Sequence, residues 1–543
     1  MRQKKAWIIS GGTVAVLLAA SAVILPPLFN DEGDSQAAQT TAPAPTFSAV
    51  APDPVKTYPP VSSFYQQAGP PAGSPQTPVD PQTVTIGNEP VGTQLSSSQV
   101  GLSLEATDLA DPNLNADNQT MVQILRGLHQ PVLRFGGNAV DRRFFWTSTG
   151  EAIPADYSGD KAHPVRSAGP EDLQRIMGML EAADAYISLS VDLGHYNPER
   201  AADMAKYGAE IFGDRLVAIT IGNEPNGFGD GDRRAGAYTV DQFAQEAEAY
   251  AAAMYKTAPN VPISGPGTYS ANWADEWAGI PMQQKKVLTF HHYPLTGCTT
   301  GKAEDAPTMA NLMSSTMNQE VVKYAKTFVD KGNAAGMPIW IPESGISACT
   351  GGNETTKTYA SALWAADFAL STAQTGIGQA DFHSSMITCQ GGPPMSMVCA
   401  DGAYLQPTGD MSVRANYYGI SMVSSIGAGK FLQLSNEGGG LNQAYAIQKD
   451  DGSTTVVFIN QNDPTQSAQT QVTLKLPNIP ATATMTQMTG PSYGAEDGVA
   501  IDGAATAPVD NAQRPAPMNF KPGVQEQSFA LTAGTVTVMN FTY

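Results

Sequence analysis

The sequence predicts a (β/α)8 barrel followed by an all-β sandwich, and three observations point there. Eight short, nearly continuous apolar runs recur between residues 100 and 383. Amphipathic stretches of helical period lie between them. After residue 418 the pattern changes, and a helix-like stretch leads to alternating segments with hairpin signals such as Asp450-Asp451-Gly452. Continuous apolar runs alternating with helices imply a parallel sheet buried on both faces, and eight such beats over about 300 residues imply a closed ring. A doubly wound open sheet would show fewer strands and a glycine-rich turn after the first, which is absent here.

The chain begins outside that pattern. Arg2, Lys4 and Lys5 precede an apolar stretch over residues 6–29, and Asp31, Glu32 and Asp34 follow it. This order reads as a secretory signal or signal-anchor (residues 1–29) with the bulk of the protein exported. Small-residue cleavage sites occur at Ala20-Ser21-Ala22 and Ser35-Gln36-Ala37, while roughly 20 apolar residues also suffice to span a bilayer. Residues 30–82, rich in Pro, Ala and Thr, cannot bury enough surface to offset ordering entropy and read as a linker or a processed pro-segment.

The strands are expected at residues 100–104, 132–135, 185–193, 216–221, 261–264, 286–290, 338–341 and 380–383. Helices are expected at 117–130, 170–184, 198–212, 240–257, 309–332 and 356–375. The barrel is bounded at 98–415 and the sandwich at 416–543, with residues 83–97 lending the sandwich a strand from before the barrel. A net charge of −20, from 30 basic and 50 acidic residues, argues against nucleic acid as a partner, because displacing phosphate counterions needs Lys and Arg. Membrane association is expected only through the N-terminal segment. The sequence does not give the oligomeric state.

Barrel enzymes carry their chemistry where the strands end. The fourth run exits as Ile221-Gly222-Asn223-Glu224-Pro225 and the seventh as Ile341-Pro342-Glu343-Ser344-Gly345. Each delivers one glutamate to the barrel mouth, and two carboxylates flanking a bond are the minimum equipment for glycoside hydrolysis. One must donate a proton while the other stays ionised, so their surroundings must differ. Asn223 is placed to bind a sugar 2-hydroxyl.

Asn-Glu-Pro after strand four with a second Glu after strand seven resembles the clan of retaining (β/α)8 glycosidases. Gly101-Leu102-Ser103-Leu104-Glu105, Leu133-Arg134-Phe135-Gly136-Gly137-Asn138 and His291-His292-Tyr293 narrow the likeness. With the trailing β-domain, residues 83–543 look like glycoside hydrolase family 79, the β-glucuronidase and heparanase family. The resemblance implies Glu224 as acid/base and Glu343 as nucleophile, with Tyr293 hydrogen-bonded to the nucleophile. It implies Glu105, Asn138 and Asn223 as ligands of sugar hydroxyls, and Gly351, Gly352 and Tyr404 as the receptors of a uronate carboxylate. The implied substrate is a glucuronic-acid-containing glycoside or polysaccharide, and no cofactor or metal is called for. A clan relative acting on neutral sugars, or a surface glycan-binding protein without turnover, remain the alternatives.

His291 and His292 are neighbours on a strand and point to opposite faces, so they do not make a metal pair. No Gly-x-Ser-x-Gly elbow supports a serine hydrolase. The four cysteines all follow late barrel strands. Of the three connectivities open to them, Cys298–Cys349 and Cys389–Cys399 would staple loops around the mouth in an oxidising compartment.

Overall fold

The computed structural model describes residues 75–543 except 231–232, 235, 299–301, 350–352, 503, 506–515 and 518–519. The expected signal or anchor segment, most of the linker, and Gly351 and Gly352 lie outside the described residues.

Eight parallel strands close into a barrel. In chain order they are Val100–Glu105, Val132–Gly136, Tyr186–Val191, Leu216–Ile221, Ile263–Thr268, Lys285–His292, Ile339–Ser344 and Ile377–His383, hereafter strands one to eight. Each coincides with an apolar run because both of its faces are covered, by the barrel interior and by the helical ring. Helices Pro170–Ala183 and Pro198–Phe212 start with proline in the first turn, and Asn197 caps the second by accepting from the Arg200 N–H. Proline at that position costs no hydrogen bond and presets the backbone angle.

Three parts depart from expectation. A short helix, Ala271–Gly279, follows strand five. It carries no side-chain N-cap bond and is held instead by Trp273 and Trp277, both buried. After strand eight the chain builds a three-stranded sheet from Ser385–Thr388, Val398–Ala403 and Gln406–Val413. Its glycines, prolines and aspartates mask it as loop in the sequence. The boundary expected at residue 416 falls at the start of the barrel's last helix, Ala415–Ser424, which packs against helix Tyr359–Thr375 and sends the Tyr417 hydroxyl to the Ile124 carbonyl at 2.8 Å. That helix is apolar on every side, so it shows no amphipathic period and reads as the composition shift itself. Where the helices meet, a Cβ on Gly419 would lie 2.1 Å from the Ala362 carbonyl oxygen.

The sandwich is one hydrogen-bonded path of strands that folds back on itself. Strand Gln82–Leu95 leads into the barrel yet pairs antiparallel with Gly429–Glu437 and parallel with Thr470–Lys475. Strand Thr454–Asn460 is buried at every position. Its Val456 and Phe458 enter the sandwich core with Met539 and Phe541, while Val457 and Ile459 face the barrel helices. The period-two alternation is present, but both faces are covered, so the strand is buried throughout and its central four residues are all apolar. Among the described residues no helix is long and apolar enough to cross a membrane.

Candidate active site

The mouth of the barrel opens into a cleft of about 920 Å³ lined by Glu105, Asn138, Glu224, His291, Tyr293, Glu343 and Tyr404 among others. A carboxylate oxygen of Glu224 and one of Glu343 lie within 4.8 Å of each other. Retaining glycosidases hold their carboxyl groups at about 5–5.5 Å, inverting ones at about 6.5–9.5 Å.

The two glutamates sit in different surroundings. Arg134, on strand two and only 1% exposed, donates to Glu343 Oε2 at 2.6 Å, to Ser103 Oγ at 2.9 Å and to Asn223 Oδ1 at 2.6 Å. Tyr293 donates its hydroxyl to Glu343 Oε1 at 3.0 Å. Burial opposes ionisation of Glu343, but His291, Arg134 and His383 outweigh it and hold the carboxyl down to about 2. Burial and the two glutamates push Tyr293 well above the usual phenol range, so it keeps the proton it donates.

Glu224 is more open, and its Oε1 lies 2.9 Å from His291 Nδ1. It is held at φ 49°, beyond Gly222 at φ 74°. A left-handed glutamate costs roughly 1–3 kcal/mol and needs surrounding structure to fix it. Here its N–H donates to the Gly267 carbonyl at 2.9 Å, and the Asn223 N–H before it donates to buried Asp141 at 2.7 Å. Asp141 also accepts from the N–H groups of Leu193 and Gly194, tying the exits of strands three and four together.

The Arg-Phe-Gly-Gly run of strand two is explained by crowding. A Cβ on Gly136 would lie 2.4 Å from the Arg134 guanidinium. Gly137, at φ +64°, leaves its space to the Glu105 carboxyl, which a Cβ would meet at 2.6 Å. Glu105 Oε2 accepts from the Ala139 N–H at 2.6 Å and faces Arg143 at 3.8 Å.

The structure brings Glu105, Asn138, Tyr293, Glu224 and Glu343 to one cleft. Asn223 stands behind it, 1% exposed, with no partner for Nδ2 among the described residues. Tyr404 stands at the rim, 45% exposed, with its ring over Gly391. Among the described residues, Gly391-Gly392 line the cleft there. Both disulfides have the expected pairing, Cys298–Cys349 and Cys389–Cys399. His291 faces Glu224 while His292 stacks on Tyr324 at 4.3 Å, as neighbours on a strand must.

Sequence reasoning quoted Arg134 only as part of a motif. The stronger signal was available: an arginine inside an apolar barrel strand must find a buried carboxylate. It also missed Arg142, Arg143, His163 and His383, which line the cleft from strand eight and the loops after strand two. Glu224, His291 and Glu343 are the one group among the described residues whose ligand atoms are close enough to share a cation. The Arg134 guanidinium seated on Glu343 would repel one there.

No protein-family model matches the chain, and no curated protein matches it. Solved structures share its fold. A 4-O-α-L-rhamnosyl-β-D-glucuronidase from Fusarium oxysporum 12S superposes with a TM-score of 0.66 at 17% identity, over 84% of this chain and 99% of that one. A GH51 arabinofuranosidase from Xanthomonas axonopodis pv. citri gives 0.61 at 14% identity, over 85% and 100%. The catalytic domain of GH30 xylanase C from Talaromyces cellulolyticus gives 0.52 at 12%, over 85% and 100%. The barrel with its β-domain is thus an architecture these glycosidases share.

Proposed function

We propose that the protein is an exported retaining glycoside hydrolase that cleaves β-linked glucuronic acid. The observation that carries the mechanism is the carboxylate pair, within 4.8 Å, of which Glu343 is the member that Arg134 and Tyr293 hydrogen-bond. Glu343 attacks the anomeric carbon as the carbon–oxygen bond to the leaving group breaks, and Glu224 gives its proton to the departing oxygen. Glu224 then takes a proton from water, which displaces Glu343 and releases the sugar with its configuration retained.

His291 stands beside the acid/base. Its Nδ1 lies 2.9 Å from Glu224 Oε1, and its Nε2 has no partner among the described residues. The unpartnered Asn223 Nδ2 fits a donor kept for the sugar 2-hydroxyl. A uronate at the strand-eight side of the cleft would meet Arg142, Arg143, His163 and His383 together with Tyr404, which supports an acidic over a neutral sugar. Export is supported by the basic-then-apolar N-terminal order and the two disulfides.

The test is hydrolysis of a chromogenic β-D-glucuronide against the matching β-D-glucoside and β-D-xyloside, with wild type and Glu343→Gln. Expected is glucuronide turnover that falls roughly 10⁴-fold or more in the variant. Preference for a neutral sugar would overturn the substrate and keep the mechanism. Undiminished turnover in the variant would overturn the nucleophile.

A further inference from the structure

The acid and the base of a glycosidase define a direction: the leaving group lies on the side of the residue that protonates it. Of the residues that line the cleft, Tyr269 follows strand five, next in the ring to strand four and Glu224, whereas Glu105 and His383 end strands one and eight. Nine large apolar or aromatic side chains remain exposed among the described residues, and two of them, Tyr269 and Tyr404, line the cleft.

Tyr269 is held firmly for an exposed residue. It sits in the two-residue link between strand five, which ends at Thr268, and helix Ala271–Gly279. Its carbonyl accepts from the Tyr324 hydroxyl at 2.9 Å. Thr268 Oγ1 donates to Asn226 Oδ1 at 2.7 Å and accepts from the Ser270 N–H at 3.0 Å. These bonds fix the link to the segment that follows Glu224. The side chain leans over that segment, since a Cβ on Gly227 would lie 3.1 Å from its hydroxyl. Yet the residue is 52% exposed. Single exposed aromatics are ordinary on a surface. An aromatic ring with a pinned backbone, beside a catalytic acid and inside the cleft, presents a flat apolar face with a polar tip. A pyranose, with C–H bonds on one face and hydroxyls at its edge, has the complementary shape.

We propose that Tyr269 is the platform on which a sugar of the leaving group stacks, so that the natural aglycone is itself carbohydrate. This rests on the retaining mechanism proposed above and names the half of the substrate that mechanism leaves open. Tyr324, through its bond to the Tyr269 carbonyl, is a positioning residue for the platform.

The test compares two substrates with the same glycone. β-D-Glucuronosyl fluoride loses fluoride with the bonding electron pair and offers no ring to stack, whereas a β-linked glucuronosyl-glucose disaccharide offers one. The ratio of kcat/KM for disaccharide to that for fluoride is expected to fall about tenfold in Tyr269→Ala. It should stay within about twofold of wild type in Tyr269→Phe and Tyr269→Trp, which keep the face. An unchanged ratio in Tyr269→Ala would overturn the proposal, as would an equal fall in Tyr269→Phe. A defect in folding alone lowers both substrates together and leaves the ratio fixed. Should wild type cleave neither glucuronide, it is the uronate reading that fails, and the same ratio on β-D-xylosyl fluoride and xylobiose decides the platform. Turnover of neither pair overturns both.

Discussion

The mouth of the barrel and its seam with the β-sandwich are both buried, yet they treat polar groups in opposite ways. At the mouth Arg134 Nε, Asn223 Nδ2 and His291 Nε2 have no partner among the described residues, and Glu224 carries backbone strain. At the seam Trp364 Nε1, Asn416 Oδ1 and Gln487 Oε1 also lack partners among the described residues, but the carboxyl and phenol groups are matched. Asp367 accepts from the Tyr445 hydroxyl at 2.6 Å and from Asn318 at 2.9 Å, and Tyr359 donates to the Gly534 carbonyl at 2.7 Å. Orphaned buried donors cost free energy unless a ligand completes them. The contrast separates a surface prepared for a substrate from one that holds two layers together.

The comparison breaks first at Arg134. Arg134→Leu leaves Glu343 buried beside fewer cations, so its carboxyl rises. The acid limb of kcat/KM against pH should move upward, with activity at the optimum reduced by about 10³-fold and stability to urea by about 3–5 kcal/mol. Arg134→Lys, which keeps charge but not the fork, should show a smaller shift of the same sign. An unmoved acid limb would mean that Arg134 does not set the ionisation of Glu343.

Gly419→Ala tests the pair of barrel helices on which the seam is built. The new methyl group would meet the Ala362 carbonyl, and helix Ala415–Ser424 must move from helix Tyr359–Thr375. The expected loss is about 1–3 kcal/mol in thermal or urea unfolding, with kcat/KM per folded molecule unchanged. Altered kinetics would show that this helix pair reaches the site.

The smallest effect concerns Asp108, beside the cleft. Burial, with Glu105 and Asp111 nearby, pushes it up to about 8. A carboxyl with a raised folded value contributes stability that is full below its unfolded value and is lost as pH rises toward 8. Asp108→Asn should therefore flatten the fall in urea stability between pH 4 and 8. A parallel offset at every pH would rule that out.

The seam and the mouth also differ in how much of them a reader of the sequence can see. The eight strands were legible because burial on both faces writes a continuous apolar run, and both glutamates were legible because they end two of those runs. The cysteines followed from their places after the late strands. Helix Ala271–Gly279 was hidden, since buried tryptophans rather than a cap hold it, and Ala415–Ser424 showed only as a helix-like stretch at the change of composition. Arg134 was in view, but its three acceptors come from strands one, four and seven, and pairings of that range leave no local trace. The same is true of Gly391-Gly392, which the three-stranded sheet after strand eight brings beside Tyr404.

Strand Gln82–Leu95 has one more implication, for how the protein is made. Its Gln82 side chain donates to the Asn442 carbonyl, 360 residues further along. At roughly 5–20 residues per second of synthesis, that partner emerges about 20–70 s later. Val84 and Ile86, both core residues of the sandwich, spend that interval on an unpaired strand while the whole barrel is produced between them and their neighbours. The ribosome thus delivers the first piece of the sandwich well before the rest. A chain released before residue 429 leaves this one as an open apolar edge.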